Sequence, residues 1–427
     1  MRIKFISLLF LSAASLGAAS LSEAYTMALE NNSELKQSLY EAQAASERTS
    51  SATAYLLPSI SLDANYVMEK YRRRGATNRT DESYLKYGIN LNQSLLRVPA
   101  WYERSLAKVR EESSNLQYQN TKQELAKKVA QAYFAYAYDK QSLSVAKSYE
   151  QASKARYERM QKSLDMGLAN KMDTLESKVR LDEASLEVAR AKRRIELSRL
   201  SLARLVGQEI DVANFSELDV DFFRRESLDK FENVEANFDY KQAKLGREYY
   251  EKDYSKRVSE YLPSVDFSIG YFNHNYRDDR YFPDELNKVE GMVKFTLPLY
   301  SGGGTKARVE EGRLMRLASA EKEADARREI AIKQRQAMSD YLGYISEYDI
   351  AKSSLEHSLV YEHSIERGYE EGLKNLVDLL DAKARVFKTQ NDALAAAHKL
   401  ILSYIELYSD IGEISEDVMA RLSGALR

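Results

Sequence analysis

Two short segments combine a glycine with a carboxylate six residues later, within stretches that contain few helix-breaking residues. Gly167 lies in the segment 165–175, and Gly372 lies in the segment 370–381. A glycine-leucine pair between two helical patterns is typical of a helix end, so each segment is predicted to form the tip of a helical hairpin. A carboxylate at such a tip can cap the next helix or form an ion pair with a neighbouring tip. We interpret the two tips as a constriction at one end of a long hollow protein.

Other residue types that carry chemistry occur without the spacing that a catalytic or metal site needs. The four histidines have no histidine or carboxylate at metal-ligand spacing, and no nucleophile elbow or phosphate loop occurs. The absence of cysteine excludes disulfides and a lipidated cysteine. The sequence therefore predicts no enzyme, no cofactor and no bound metal. A formal net charge of −2 gives no indication of a nucleic-acid partner.

The first twenty residues have the features of a secretory signal peptide. Basic residues at Arg2 and Lys4 precede an apolar run from Phe5 to Leu16 and then small residues. The run is shorter than the roughly 20 residues of a spanning helix, which disfavours a membrane anchor. We predict a signal peptide over 1–20, cut after Ser20 or at a neighbouring site, and a mature chain over 21–427.

All five prolines lie in two windows, 58–99 and 263–298, and only these windows show strict alternation of apolar and polar residues. The pattern predicts four strands in two hairpins, over residues 59–68, 84–96, 264–273 and 289–299. Strands of about ten residues can cross a bilayer when tilted. A soluble sandwich is the alternative, but aromatic residues near the strand ends favour a membrane interface. The polar positions predicted to face a lumen are Ser61, Asp63, Asn65, Asn90, Asn92, Asp266 and Ser268.

Four strands cannot close a barrel within one chain, and open sheet edges are not tolerated in lipid. The sequence therefore predicts an obligate oligomer, in which eight or twelve strands close the barrel.

The rest of the chain is predicted to be helical, with long rods that have a coiled-coil rhythm of apolar residues. One stretch, from Ala100 to Asp165, contains neither glycine nor proline, and sixty-odd helical residues span roughly 95 Å at about 1.5 Å per residue. Landmarks recur at a constant offset of 205 residues, namely Pro58 and Pro263, Gly167 and Gly372, and Gly207 and Gly412. We predict two repeats over about 21–225 and 226–427, with mixed equatorial segments at about 208–227 and 413–427.

Several motifs in this order resemble the TolC-like outer-membrane efflux family, also called the outer-membrane factor family. They are Leu21-Ser22-Glu23-Ala24, Leu57-Pro58-Ser59, Leu262-Pro263-Ser264, the exit Leu297-Pro298-Leu299-Tyr300-Ser301-Gly302-Gly303, and the two tips. The chain departs from the family at Ser33, where proline is usual, and at Arg97-Val98-Pro99, which replaces a glycine pair.

The resemblance implies a mainly α-helical fold with a small transmembrane β part, in the outer membrane of a Gram-negative bacterium. It implies a homotrimer with a long α-helical coiled-coil barrel in the periplasm and a 12-stranded β-barrel in outer-membrane lipid, four strands from each chain. It further implies docking through a periplasmic adaptor to an inner-membrane pump, either an antiporter or a transport ATPase. The expected function is the exit duct of a tripartite efflux system.

The resemblance also implies which residues close the tunnel. The closed end is held by links between neighbouring tips, and the matching positions are Asp173 on the first tip and Lys374 and Tyr369 on the second. Asp378 and Asp381 match an acidic ring at the entrance, which would favour cations. Local helix capping is the alternative role for Asp173 and Asp378, because Asp173 followed by Glu176 also fits a capping box.

Two other functions stay open from the sequence. One is the outer-membrane component of type I protein secretion, which has the same fold. The other is a periplasmic coiled-coil scaffold without a barrel.

Overall fold

The computed structural model describes residues 18–71, 80–213, 218–276 and 285–425. Most of the predicted signal peptide, residues 1–17, lies outside this range. The helices are α1 Leu21–Asn31, α2 Ser33–Ala54, α3 Val98–Asp165, α4 Lys171–Val206, α5 Val220–Arg224, α6 Phe238–Ser259, α7 Gly304–Glu370, α8 Leu376–Asp410 and α9 Glu416–Gly424. Short 3₁₀ helices cover Asp229–Glu232 and Val234–Ala236. Among the described residues, no helix combines the length and the apolar character needed to cross a membrane.

The chain divides into two compact units. One contains the described residues within Met1–Lys36, Asn120–Asn237 and Ile330–Arg427, and the other contains those within Gln37–Gln119 and Phe238–Glu329. We call them the tip unit and the sheet unit. The sheet unit takes one segment from each repeat, and the tip unit takes the parts before and after it, so the long helices α3 and α7 each contribute residues to both units.

The sheet unit contains one antiparallel sheet with the strand order β1-β2-β3-β4. The strands are β1 Ser59–Tyr71, β2 Thr80–Leu96, β3 Ser264–Tyr276 and β4 Glu285–Thr296. The four antiparallel strands confirm the predicted strand number. The observed strands continue further into both hairpins than the sequence predicted, because backbone pairing does not require alternating side chains. The fourth strand ends before Pro298 rather than at 299, since proline has no N–H to donate to the ladder.

The register of the sheet separates an apolar face from a polar face. Ile60 lies opposite Leu91, and Leu91 lies opposite Ile269, so apolar residues share one face. That face is exposed in the single chain, where Ile60 and Leu62 are 71% and 74% accessible. A large exposed apolar surface marks contact with lipid or with another protein.

A phenylalanine packs on the polar face over two glycines. An added Cβ at Gly270 would lie 2.6 Å from Cε2 and Cζ of Phe272, and one at Gly88 would lie 2.5 Å from Cδ1 of the same ring. Nζ of Lys86 lies 4.9 Å from the ring centroid. Both glycines therefore leave the space that this ring occupies.

Polar contacts join helices of the sheet unit. The guanidinium of Arg104 donates to Oγ1 of Thr53 at 3.1 Å, which joins α3 to α2. Arg308 pairs with Glu260 at 2.8 Å, which joins α7 to the end of α6.

The tip unit has an aromatic core on α8. Tyr404 and Tyr408 are almost fully buried, and both hydroxyls donate to the carboxylate of Glu226, at 3.2 and 3.1 Å. Nζ of Lys230 donates to the Tyr408 hydroxyl at 2.6 Å, as does Nη2 of Arg421 at 3.2 Å. These bonds attach the segment after α5 and helix α9 to α8.

The predicted equatorial segments 208–227 and 413–427 are described except for residues 214–217 and 426–427. Within them, Phe223 on α5 lies with its ring centroid 5.5 Å from that of Tyr404. Leu422 on α9 is buried.

The start of the described chain is held by specific contacts. Ser20 caps α1 through a reciprocal capping box with Glu23. Ala19 donates its N–H to the carbonyl of Asp211 at 2.9 Å and accepts a hydrogen bond from the Tyr133 hydroxyl at 2.9 Å. These residues are therefore part of the folded tip unit.

Candidate functional site

The two predicted tips are helix-ending turns of the same type. After α3, the N–H of Leu168 donates to Ser163 O at 2.8 Å, and that of Gly167 donates to Leu164 O at 2.9 Å. After α7, the N–H of Leu373 donates to Gly368 O at 2.7 Å. This six-to-one and five-to-two pattern is a Schellman motif, whose C′ residue is left-handed.

Glycine is required at both turns because of backbone conformation. Gly167 has φ of 72° and Gly372 has φ of 76°. An added Cβ would meet nothing within 4 Å at either position. Any other residue would therefore be strained by its own backbone and not by a neighbour.

Two asparagines that sequence reasoning missed cap the helices after the turns. Oδ1 of Asn170 accepts from the N–H of Asp173, and Oδ1 of Asn375 accepts from the N–H of Asp378, each at 2.8 Å. The proposal that Asp173 itself caps α4, with Glu176 as its partner, is wrong. Asp173 is the third residue of α4, and Asn170 is its cap. An asparagine three residues before an aspartate at both tips was the signal that could have identified these caps.

The carboxylate of Asp173 and the ammonium of Lys374 have no partner among the described residues of the chain. Asp173 is half-buried, and only its backbone groups form hydrogen bonds, with Asn170 and Ser177. Lys374 is exposed, and its N–H donates to Gly368 O at 3.0 Å. The structure does not join these two side chains within one chain.

Tyr369 lies in the small apolar core that joins the hairpins. It packs against two buried clusters, which contain Leu376 and Leu379 respectively. The guanidinium of Arg156 lies over its ring, 4.2 Å from the centroid. The buried Nε and Nη2 atoms of Arg156 have no hydrogen-bond partner among the described residues. The contact therefore places a cation against the tyrosine from within the same chain.

The two aspartates predicted for the entrance ring have different surroundings. Asp378 completes a capping box, since its Oδ2 accepts from the N–H of Asn375 at 3.4 Å. Asp381 on α8 pairs with Arg180 on α4 at 2.8 Å. Arg180 also lies 3.3 Å from both Glu176 and Glu183. Burial acts to lower the pKa of Arg180, but these carboxylates outweigh it and raise that pKa.

A second basic residue, Lys383, joins the two helices of the second helical hairpin, α7 and α8. Nζ of Lys383 on α8 lies 2.6 Å from Glu362 and 3.1 Å from Glu366 on α7. Burial acts to lower the pKa of Lys383, and the two glutamates raise it by more. Sequence reasoning missed Arg156 and Lys383, because their partners lie on other helices and form no local pattern. It missed the pairing of Arg180 with Asp381 for the same reason, since that partner lies on α8.

The lumen candidates lie in the sheet unit, on the polar face defined above. Asp266 accepts from Ser94 at 2.9 Å and from Arg97, whose Nη2 lies 3.0 and 2.9 Å from its two oxygens. Asp63 accepts from Oγ of Ser61 at 3.2 Å. The other candidates share that face through the register, since Asn90 pairs with Ser61, Asn92 with Ser268, and Asn65 with Lys86.

The fold is similar to that of known membrane channel proteins. The crystal structure of a membrane protein from Pseudomonas aeruginosa superposes with a TM-score of 0.83 at 16% identity, over 92% of this chain and 91% of that one. This likeness shows a shared fold of long helices and one four-stranded sheet.

The sequence identifies the family. Residues 24–208 and 233–413 match the family described as Outer membrane efflux protein, and the chain belongs to this family. One matched segment lies within each of the two predicted repeats. The chain is 26% identical to outer membrane protein TolC of Vibrio cholerae over 94% of this chain and 93% of that protein. It is 21% identical to the protease secretion protein PrtF of Dickeya chrysanthemi, over 97% and 93% respectively.

Family membership confirms four sequence-based interpretations. The protein is a TolC-like outer-membrane efflux channel, it is a transport protein and not an enzyme, it lies in the outer membrane of a Gram-negative bacterium, and it works as a trimer with efflux partners. The alternative of a periplasmic scaffold without a barrel receives no support from the family.

Proposed function

We propose that this channel is the exit duct of a tripartite efflux system and that it is closed by a latch between the helix tips of neighbouring copies. Three chains contribute four strands each to one barrel. The tips meet a periplasmic adaptor, which connects the channel to an inner-membrane pump of the antiporter or transport-ATPase type. Transport through this component is passive, and the inner-membrane pump supplies the energy.

The observation that carries the latch is the pair of unpartnered charges at the tips. Asp173 and Lys374 are opposite in sign, they lie at the equivalent tips of the two repeats, and neither side chain has a partner among the described residues of the chain. Ionic side chains that a single chain leaves unpaired are available to a neighbouring copy. Tyr369 supports the latch indirectly, because its packing against Arg156 fixes the turn that presents Lys374.

The strength of such a latch suits a gate that opens. An exposed ion pair contributes about 0–1 kcal/mol, so three pairs contribute about 3 kcal/mol at most. A lysine forms one point contact with a carboxylate, whereas arginine forms two parallel bonds, so this latch is weaker than an arginine latch. Contact with an adaptor can supply that amount of free energy.

Asp378 and Asp381 are proposed to line the entrance inside the latch. Each trimer has three copies of both, and their carboxylates are accessible at the tips. This entrance ring is less negative than the sequence suggests, because Arg180 neutralises part of the charge of Asp381. A ring of this sign favours cations and repels small anions.

The test of the latch is the conductance of the purified trimer in planar lipid bilayers. K374A and D173N are expected to raise the single-channel conductance, because each removes one partner of the latch. Lys171→Ala is the matched control, since Lys171 is an exposed tip lysine that plays no part in the proposed latch. The exchange variant D173K/K374D is expected to restore the low conductance. If K374A has the same conductance as the parent protein, Lys374 is not part of the latch.

The test of the efflux function is the drug and detergent susceptibility of a strain that lacks the gene. Susceptibility is expected to increase and to return to the original level when the intact gene is supplied.

A second candidate is the outer-membrane component of type I protein secretion. The similarity to a protein named for protease secretion favours it. The fold does not separate the two functions, since the pump selects the cargo. Loss of a secreted protein from the culture medium of the deletion strain, with unchanged drug susceptibility, would support secretion over efflux.

A further inference from the structure

The sheet has two edges whose backbone groups are unpaired within the chain. Because the strand order is β1-β2-β3-β4, the edges are β1 and β4. In the proposed trimeric channel, on which this inference rests, β4 of one copy must pair with β1 of the next, since lipid does not tolerate an open edge. The register of that seam is not fixed by the fold of one chain. Charge and geometry at the two edges restrict it.

Among the side chains that the structure describes, each edge carries one charged residue without an ionic partner. Among the edge-strand side chains that the structure describes, the charged ones are Asp63 on β1 and Lys288, Glu290 and Lys294 on β4. Lys288 and Glu290 pair with each other at 2.9 Å. Asp63 accepts a hydrogen bond from Ser61 and forms no ion pair with any described residue. Lys294 has no ion pair within the described chain. An unpaired acid therefore lies on one edge and an unpaired base on the other.

The two side chains share the polar face. Asp63 lies opposite Gly88, Gly88 opposite Phe272, and Phe272 opposite Lys288. These four residues form one row across the sheet. Lys294 follows Lys288 by an even number of residues, so it points to the same face as the row of Asp63.

The strand ends set the direction of the offset between copies. The row of Ser59, the first residue of β1, runs through Asn92 and Ser268 to Met292. The fourth strand continues beyond that row to Thr296. If corresponding strand ends are level around a closed barrel, the next copy's β1 is displaced toward the Thr296 end of β4. The neighbouring Asp63 then lies beyond Lys288 in the direction of Lys294.

The size of the offset follows from barrel geometry. With a strand tilt of about 40° and a strand spacing of about 4.8 Å, four strands accumulate an offset of about 16 Å, or about five residues. Polar residues stay on one face only when the offset is even, so it is about four or about six residues. Counted from Lys288, these values place the neighbouring Asp63 opposite Met292 or Lys294. In the first case Lys294 is a diagonal neighbour, which a long side chain reaches.

We propose that Asp63 of one copy forms an ion pair with Lys294 of the next copy, on the polar face of the seam between β1 and β4. The pair joins the only edge charges that the described part of each chain leaves without an ionic partner. The pair favours an offset register between β4 and the next copy's β1 over a register without offset. Without an offset, Asp63 would lie opposite Lys288, which Glu290 already neutralises.

Cysteine cross-linking in the full-length protein tests the register, and the absence of native cysteine makes this direct. Opposite residues in antiparallel strands have Cα atoms about 4.5–5.5 Å apart, within the disulfide range. D63C/K294C is expected to give covalent trimers on non-reducing gels. D63C/K288C is the matched control, because Lys288 lies on the same edge and face as Lys294. It is expected to give no cross-link, because residues 288 and 294 are six residues apart on β4, or about 20 Å. A cross-link from D63C to M292C fits the smaller offset and supports the pair.

A cross-link to K288C but not to K294C or M292C would overturn the pair, as would a trimer that forms none of these cross-links. Neither result would affect the efflux function if the variant still restores drug resistance. A monomer in detergent would overturn both the pair and the proposed trimeric channel. Charge exchange gives an independent measurement: D63K and K294D are each expected to lower the yield of trimer severalfold, and D63K/K294D is expected to recover it. Failure of the double variant to recover the yield would refute the ion pair.

Discussion

Replacing Gly270 by alanine should destabilise the sheet through the ring of Phe272. The added methyl carbon would lie 2.6 Å from two ring carbons and 2.8 Å from Oδ1 of Asn90. Non-bonded carbon atoms prefer a separation of about 3.5–4.0 Å, so the ring must move by about 1 Å. Overpacking of this kind costs about 1–3 kcal/mol.

A second effect of the same substitution has the opposite sign. Alanine loses less backbone entropy on folding than glycine, which stabilises a strand by about 0.5–1 kcal/mol. Gly291 isolates that effect, because an added Cβ there meets no atom within 4 Å. We therefore expect G291A to be slightly more stable than the parent protein and G270A to be less stable by about 1–2 kcal/mol per chain.

The measurement is the guanidinium midpoint for unfolding in detergent micelles, with an unchanged slope as the condition for comparison. F272A supplies the second half of a double-mutant cycle, because it removes the ring that the new methyl group meets. The cost of G270A should largely disappear in the F272A background. The cost of G88A should persist there, since an added Cβ at Gly88 also lies 2.5 Å from the backbone oxygen of Tyr271. Equal midpoints for G270A and G291A would refute the steric account, as would a full cost of G270A without the ring.

Three further predictions concern the tip unit. Burial lowers the pKa of His398, so the folded state favours the neutral ring. The contribution of this ring to folding stability is therefore complete above the unfolded pKa of about 6.5 and decreases as the pH falls below it. H398F should remove this part of the acid sensitivity of thermal unfolding. The contacts of Ala19 predict that the mature chain begins no later than this residue, two positions before Leu21, which cleavage after Ser20 would leave as the first residue; intact-mass measurement would decide between them. R180Q should increase the permeability of cations relative to anions, measured as a reversal potential in a salt gradient, because it frees the charge of Asp381.

Matched variants are available for two of these predictions. His363→Gln changes an exposed histidine on α7 and should leave the acid sensitivity unchanged. Arg190→Gln removes an arginine that pairs with Glu187 on the same helix, and it should leave ion selectivity unchanged. A shift in selectivity of equal size in R190Q and R180Q would show that general surface charge, and not the entrance, sets the selectivity.

The sequence predicted well those features that depend on local pattern. Alternation within the two proline-containing windows identified all four strands and their polar faces, because one face of a strand is chemically different from the other. The Gly-Leu pairs identified both turns, because a left-handed residue is needed where a helix reverses. The strand ends were less well predicted, since pairing continues into polar segments where no alternation marks it.

Features that depend on contacts between distant helices could not be predicted. Arg180 and Asp381 are 201 residues apart in sequence, and no spacing rule connects them. The stacking of Arg156 on Tyr369 is similar, because it joins α3 to the end of α7. In both cases the helical periodicity places each side chain on a face, but the packing of one hairpin against the other determines which faces meet.

The two repeats show how equivalent sequences came to have different roles. Both tips place an aspartate three residues after an asparagine cap, and the caps bind alike. Only in the second repeat does the carboxylate return to the cap, where Asp378 closes a capping box. In the part of the chain that the structure describes, the carboxylate of Asp173 in the first repeat and the ammonium of Lys374 in the second repeat have no partner. Because each repeat supplies one of these two charges, the proposed latch requires the first repeat of one copy and the second repeat of another. Closure is then a property of the trimer, and a chain that lacked either repeat could not form it.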